Sequence, residues 1–379
     1  MAIEIHEVTN HKELKKFVKF PFDLYKNNPY WVPPLIKNEM DTLRNDKNPV
    51  FEYCEAKYWI AYSNSGKGHN KKILGRIAGI VNKKYMERWK KNYANIGWFD
   101  YINDINVSKK LVEIVETWAK NKKCKGITGP LGFTNFEHQG VLIKGFDEYP
   151  TIASQYNYEY YQEHMDALGF KKEVDYLEFQ APIPDKIPEK ADRISRLILK
   201  KRNLQLLKAS SKKDLLRYAE KIFKTINKSF GNIYSSVLFN EKQMKWYSKK
   251  YFPFLMPEYV KIIIDKNDDV AGFIIAMPSM SKAFQNANGH VFPFGFLHIL
   301  KALKKPELLD LYIAAILPQY QNKGLNAVFM TELNKSALKK NISAFETNSE
   351  LEENKKVIAH WKYYNARQHK RKRCYIKEI

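Results

Sequence analysis

The stretch PQYQNKGLNAVF, residues 318–329, sets a glycine and a lysine between a short apolar run, LYIAAIL (311–317), and a segment whose apolar residues recur every four positions. That order predicts a strand, a turn at Gly324 and a helix. A helix N-terminus leaves backbone N–H groups without intrahelical acceptors and carries positive partial charge. A glycine turn lets a ligand come close to the backbone. Together they suit an anion such as phosphate or pyrophosphate. Gln321, Asn322 and Lys323 surround the position, and Lys323 adds a full charge. Asn326 is read as a residue that tolerates unusual backbone angles.

No other catalytic apparatus competes with this loop. The cysteines Cys54, Cys124 and Cys374 are far apart, so there is neither a CxxC pair nor a metal-ligand spacing, and no metal is expected. So sparse a set fits a reducing compartment. No nucleophile motif is evident.

The elements around the loop fall into two similar halves. APIPDKIPEKADR (181–193) holds three prolines and reads as an extended linker. It divides the chain into 1–180 and 194–379. In the first half, 57–63 and 72–82 read as strands joined by a polar, glycine-bearing turn. Residues 104–123 read as a helix capped by Ser108, 126–129 as a short strand, and 156–179 as an aromatic helix, a stop at Gly169 and a strand. The second half repeats the order. It has a strand at 203–209, helices at 212–231 and 241–252, a hairpin around 266–269 and a buried strand at 308–317. A helix with the stripe Leu325, Phe329, Leu333 and Ala337 follows, then a strand at 342–348, a last helix and a last strand. The expected class is α/β, a mixed, mainly antiparallel sheet flanked by helices in each half.

The 379 residues suit two domains, and 44% hydrophobic with 14% aromatic content supplies real cores. The formal charge of +23 attracts acidic partners, although lysine spread along the whole chain reads equally as compositional bias. The N-terminus has no apolar signal core, and no stretch approaches the ~20 apolar residues of a membrane span. The expected location is cytoplasmic, with peripheral contact at the inner membrane face.

The loop resembles the acyl-CoA pyrophosphate loop of the GNAT N-acyltransferases, (Gln/Arg)-x-x-Gly-x-(Gly/Ala), here Gln321-Asn322-Lys323-Gly324-Leu325-Asn326 with Ala327 next. Asn326 departs from the last motif position. GWFDYIND (97–104), the run GPLGFTNFEHQGVLIKGFDEYPTIASQYNYEYYQEHMDALGF (129–170) and DYLEF (175–179) are similar to the first half of a bacterial tandem-GNAT family. That family pairs a degenerate N-terminal domain with a C-terminal domain that keeps the loop. Some related acyltransferases N-acylate sphingoid long-chain bases. The resemblance implies acyl-CoA, acetyl- or longer, as co-substrate, held by 321–327 and Asn354, with Ile316 and Leu317 offering backbone groups to the pantetheine arm. It implies an amine acceptor, small or lipid, and acyl carrier protein as another donor. In typical members a tyrosine seven residues after the asparagine protonates the leaving thiolate. Here Trp361 stands there, with Tyr363 and Tyr364 close by. The first half lacks the loop, since 103–108 read NDINVS. It is expected to shape the acceptor pocket or support the fold.

Glu346, on the strand after the loop helix, is read as a general base or a salt-bridged strand residue. His360 and Glu350 are weaker candidates. Tyr363 and Tyr364 are read as general acids or packing aromatics. Tyr156, Tyr158, Tyr160 and Tyr161 are read as packing or a pocket wall. ANGHVFPFGFLHILKALKK (287–305) is read as a lid, a lipid-facing segment or an amphipathic cover. HKRKRCY (369–375) is read as a solvated basic loop, and nucleic acid is not the expected partner. Two classes stay open: an N-acyltransferase, and a non-catalytic protein that reads an acyl ligand or a membrane surface.

Overall fold

The computed structural model describes residues 2–63, 71–231 and 233–379. The glycine-bearing turn expected between the first two long strands lies outside them. The strands in chain order are β1 (Ile3–Glu7), β2 (Cys54–Ser63), β3 (Ile73–Asn82), β4 (Tyr93–Tyr101), β5 (Gly126–Gly129), β6 (Val141–Lys144) and β7 (Lys171–Pro182). They continue with β8 (Gln205–Leu206), β9 (Val260–Ile264), β10 (Val270–Pro278), β11 (Leu308–Ile316), β12 (Ala344–Thr347), β13 (Glu350–Leu351) and β14 (Arg367–Glu378).

One mixed sheet runs β1-β2-β3-β4-β5-β14-β7-β12-β11-β10-β9-β8. The pattern reads the same from either end: antiparallel neighbours, one parallel pair (β4 with β5, β11 with β12), then an antiparallel strand from the other half. Each half therefore lends its last strand to its partner. β14 sits against β5, β7 sits against β12, and the two pair with each other at the centre.

Local pattern accounts for the framework. The helix Leu325–Leu338 buries Leu325, Phe329, Leu333 and Ala337 on one side of the second half's sheet. The helix Ile105–Asn121 buries Leu111, Val115 and Trp118 in the same way on the first. Several expectations change. Asp104, not Ser108, caps the latter helix, because it begins at Ile105. Ser108 lies inside it, with its hydroxyl on Ile105 O and 3.0 Å from His164 Nδ1. The strand expected over 203–209 shortens to two residues at the sheet edge, where only β9 pairs with it. The segment read as an extended linker ends β7 at Ala181 and Pro182, and 189–193 open the helix Glu189–Lys201.

The basic run 369–375 is not a solvated loop. It forms the middle of β14. Alternation sends Lys370 and Lys372 inward, each 1% exposed, onto the buried carboxylates Glu178 and Glu346. Arg371 and Arg373 point the other way, onto Asp175. Opposite charges facing one another across antiparallel strands stabilise the pairing.

Candidate active site

β11 pairs with β12 only from Leu308 to Leu311. Beyond that point Asn348 closes the ladder, its N–H donating to Leu311 O and its amide to Tyr312 O. The next residues of β11 therefore have no β12 partner, and the two strands part. Tyr312 is the extra residue of a bulge, because Ala276 pairs with Leu311 while Ile275 pairs with Ile313. A bulge re-aims side chains and twists a strand locally.

At the open end of β11, a single 3-10 turn (Pro318–Tyr320) leads into the loop. Asn322 and Gly324 both adopt left-handed backbone angles, φ 56° and 84°. The special angles thus belong to Asn322 and Gly324. Asn326, read as tolerant of such angles, is an exposed residue in the helix's first turn. Among the described residues, none of the five backbone N–H groups from Asn322 to Asn326 is donated to a protein acceptor. Gln321 to Gly324 and Asn326 face solvent, Leu325 is buried and Ala327 is half-buried. These donors, the helix dipole and the charge of Lys323 are of the kind that suits an anion. Two expected contacts are already taken: the Ile316 carbonyl accepts from Ser229 Oγ and Gln321 Nε2. Leu317 N–H donates to Ala271 O.

Beside the splay lies a buried acid–base cluster. Glu346 and Asp310 are register partners on β12 and β11 and share a sheet face. Glu346, 3% exposed, accepts from Lys370 Nζ at 2.7 Å. His369 Nε2 lies 2.9 Å from the same oxygen, without hydrogen-bond alignment. Burial works against the Lys370 charge, but Glu178 and Glu346 outweigh it and hold it protonated. Burial likewise pushes Glu178 up, and Lys372 and Lys370 outweigh that, so its carboxyl sits well below the usual range. Asp310 has no such cation at contact. Burial, then the Glu346 charge, push it up to about 8. Its Oδ2 accepts from Tyr312 OH at 3.4 Å, and its Oδ1 has no hydrogen-bond partner. Sequence reasoning passed over Asp310. A lone carboxylate inside the apolar run LLDLYIAAIL is the signal that marks it. The first half walls this cluster: Lys370 donates to Tyr149 O, Thr151 to Asn348, and Ser154 to Glu178.

The remaining candidates gather on the helix Lys355–Trp361 and the turn after it. Asn354 begins that helix and is exposed. Trp361 is buried and donates its indole N–H to Glu350, which burial pushes up to about 8. His360 and Tyr364 pack with it, ring centroids 5.0 Å apart. Burial lowers the His360 pKa and raises that of Tyr364. Tyr363 stands apart, 86% exposed.

The first half closes the equivalent place. Its helix is capped by Asp104, whose carboxylate accepts from Asn106 N–H where an anion would have to sit. At the end of β4, Tyr101 N–H donates to Tyr161 OH, and Tyr160 OH donates to Tyr101 O. Tyr160 and Tyr161 therefore fill a strand end, whereas Tyr158 donates to Leu24 O and Tyr156 packs on Tyr25. Tyr101 and Tyr161 stack at 4.4 Å. Among the described residues no cluster of His, Cys, Asp or Glu could hold a metal ion, and no helix is long and apolar enough to cross a membrane.

No family model matches the chain. It is 26% identical over 377 residues to Protein YghO of Escherichia coli (strain K12), covering 98% of this chain and 94% of that one. It is 23% identical over 314 residues to the bacterial ceramide synthase of Caulobacter vibrioides (strain NA1000 / CB15N), covering 80% and 77%. A solved tandem GNAT protein from the clavulanic acid biosynthesis pathway superposes over 100% of this chain and 98% of its own, with a TM-score of 0.57 at 9% identity. With two helix-flanked halves, a parallel strand pair in each and exchanged last strands, the chain has the fold of the tandem GNAT proteins.

Proposed function

We propose that the chain is an N-acyltransferase that moves an acyl group from acyl-CoA to a primary amine, using the second half. The observation that carries this reading is the run of five undonated N–H groups, Asn322 to Asn326, placed where a splayed strand meets a buried helix. That arrangement suits a pyrophosphate, and the adjoining strand edge suits an extended thioester arm. The thioester supplies an activated acyl carbon. The amine nitrogen attacks that carbon, the C–S bond breaks, and the amine gives up a proton as the thiol gains one. No covalent enzyme intermediate is needed, so positioning and proton movement are the chain's main contributions.

Asp310 with Glu346 is our choice for accepting the amine proton. Lys370 and the hydroxyl of the half-buried Tyr312 fix their geometry. Tyr364, kept protonated by burial, is the better placed of the two tyrosines to protonate the thiolate; Trp361 cannot. A lipid amine such as a long-chain base is the acceptor class we favour, because one relative spanning most of the chain is a bacterial ceramide synthase.

The test is ligand-induced thermal stabilisation with CoA and with acetyl-, octanoyl- and palmitoyl-CoA, followed by thiol release with amines. Stabilisation that grows with chain length, together with amine-dependent thiol release, is the expected result. Binding without thiol release from any amine leaves a non-catalytic acyl-ligand protein, the reading that Trp361 favours.

A further inference from the structure

Twelve large apolar side chains are substantially exposed among the described residues, and four of them fall within nine positions: Phe292 (76%), Phe294 (70%), Leu297 and Leu300. The rest are scattered, as on any soluble protein. The helix Gly295–Lys304 turns Gly295 and Ile299 into the core and leaves Leu297, Leu300, Lys301 and Lys304 outside. These four lie one and two turns apart, on one face. From 279 to 306 there is no acidic residue, whereas Lys282, Lys301, Lys304 and Lys305 are all present.

The segment is also anchored. Gly289, at φ 77°, lets the turn before it press onto the N-terminal region: a Cβ there would lie 2.6 Å from the Phe22 ring. Gly289 O accepts from Ile36 N–H, and Gln285 Nε2 donates to Pro29 O and Trp31 O. The apolar residues are therefore held out by a fixed base. Asn288 and His290, on either side of Gly289, line a cleft of about 450 Å³ with Phe22, Trp31 and Ile36.

We infer that residues 291–305 form a docking surface for an anionic lipid bilayer. Phenylalanine and leucine enter the headgroup–acyl boundary, and lysines meet lipid phosphates. Charge decides for this occupant. A second copy of the chain, itself at +23, would bring lysines against lysines, whereas an anionic membrane complements them. The inference stands apart from the acyltransferase reading, because it is read by partitioning and not by turnover.

The experiment is flotation of the full chain with vesicles of phosphatidylcholine alone and with phosphatidylglycerol added. Two variants are carried alongside, Phe292→Ser/Phe294→Ser and Lys301→Gln/Lys304→Gln/Lys305→Gln, with melting temperature and oligomeric state measured for each. All five positions are exposed, so both variants should melt like the wild type. The wild type should partition to the anionic vesicles. The lysine variant should lose on the order of a hundredfold in that partitioning. The phenylalanine variant should lose about tenfold or more at unchanged charge. No vesicle binding by the wild type would overturn the proposal, as would variants that bind as tightly as it does. A dimer that the phenylalanine variant converts to monomer, with partitioning unchanged, would assign the face to a second copy instead.

Discussion

The ammonium of Lys370 lies 2.7 Å from the carboxylate of Glu346, and both are buried, Lys370 the more deeply. One residue belongs to a strand that crosses the centre of the sheet, the other to the strand beside the proposed donor site. The contact therefore ties the exchange of strands to the candidate chemistry. A second carboxylate, Glu178, lies 3.2 Å from the same ammonium. Removing one partner of a buried ion pair leaves uncompensated charge, typically at a cost of about 3–5 kcal/mol. Lys370→Met should lower stability by that order in denaturant unfolding. A change below ~1 kcal/mol would mean that the cluster is hydrated and the charges screened.

Gly324 gives the donor site its sharpest test. Its left-handed angles strain any other residue by about 1–2 kcal/mol, and an added side chain would run into Ile198 Cδ1, 2.6 Å from the Cβ position. Gly324→Trp should abolish CoA binding in calorimetry while the protein still melts cooperatively. Unaltered binding would move the anion site elsewhere. Wild-type protein should take up one CoA per chain, because Asp104 and the tyrosines fill the first half's counterpart.

Asp310 predicts a pH dependence with a definite sign. Its folded pKa, about 8, lies above the ordinary carboxylate value, so the native state binds that proton more tightly than the unfolded chain. The stability it contributes is full at low pH and falls as pH rises towards about 8. Glu350 acts in the same direction over the same window. Asp310→Asn should make stability fall less steeply between the acid range and pH 8. In the acyltransferase reading it should also flatten a rate that otherwise climbs to about pH 8. An unchanged pH profile of kcat/KM would remove Asp310 from the proton path.

What the sequence made legible was local. Period-two strands, the four-residue stripe from Leu325 to Ala337 and the glycine loop each sit in one window, and each appears where expected. The function of β14 does not sit in one window. HKRKRCY looks solvated because the carboxylates that bury it, Glu178 and Glu346, come from β7 and β12, and only the strand exchange brings them together. Asp310 was hidden for the converse reason. Its run reads as a plain buried strand, and only the register with Glu346 shows that two acids share one face.

Tyr363 and Tyr364 adjoin in sequence but differ in surroundings, and this separates their roles. Tyr363 is 86% exposed, so Tyr363→Phe should leave both melting temperature and turnover close to wild type. Tyr364 is held between His360 and Trp361, and burial raises its pKa, which keeps the proton on the phenol that a general acid must supply. Tyr364→Phe preserves the ring and the packing. If Tyr364 protonates the thiolate, kcat should fall about a hundredfold or more while CoA affinity and melting temperature hold. A fall in melting temperature with kcat unchanged would make Tyr364 a packing residue, and the thiolate would then take its proton from another group.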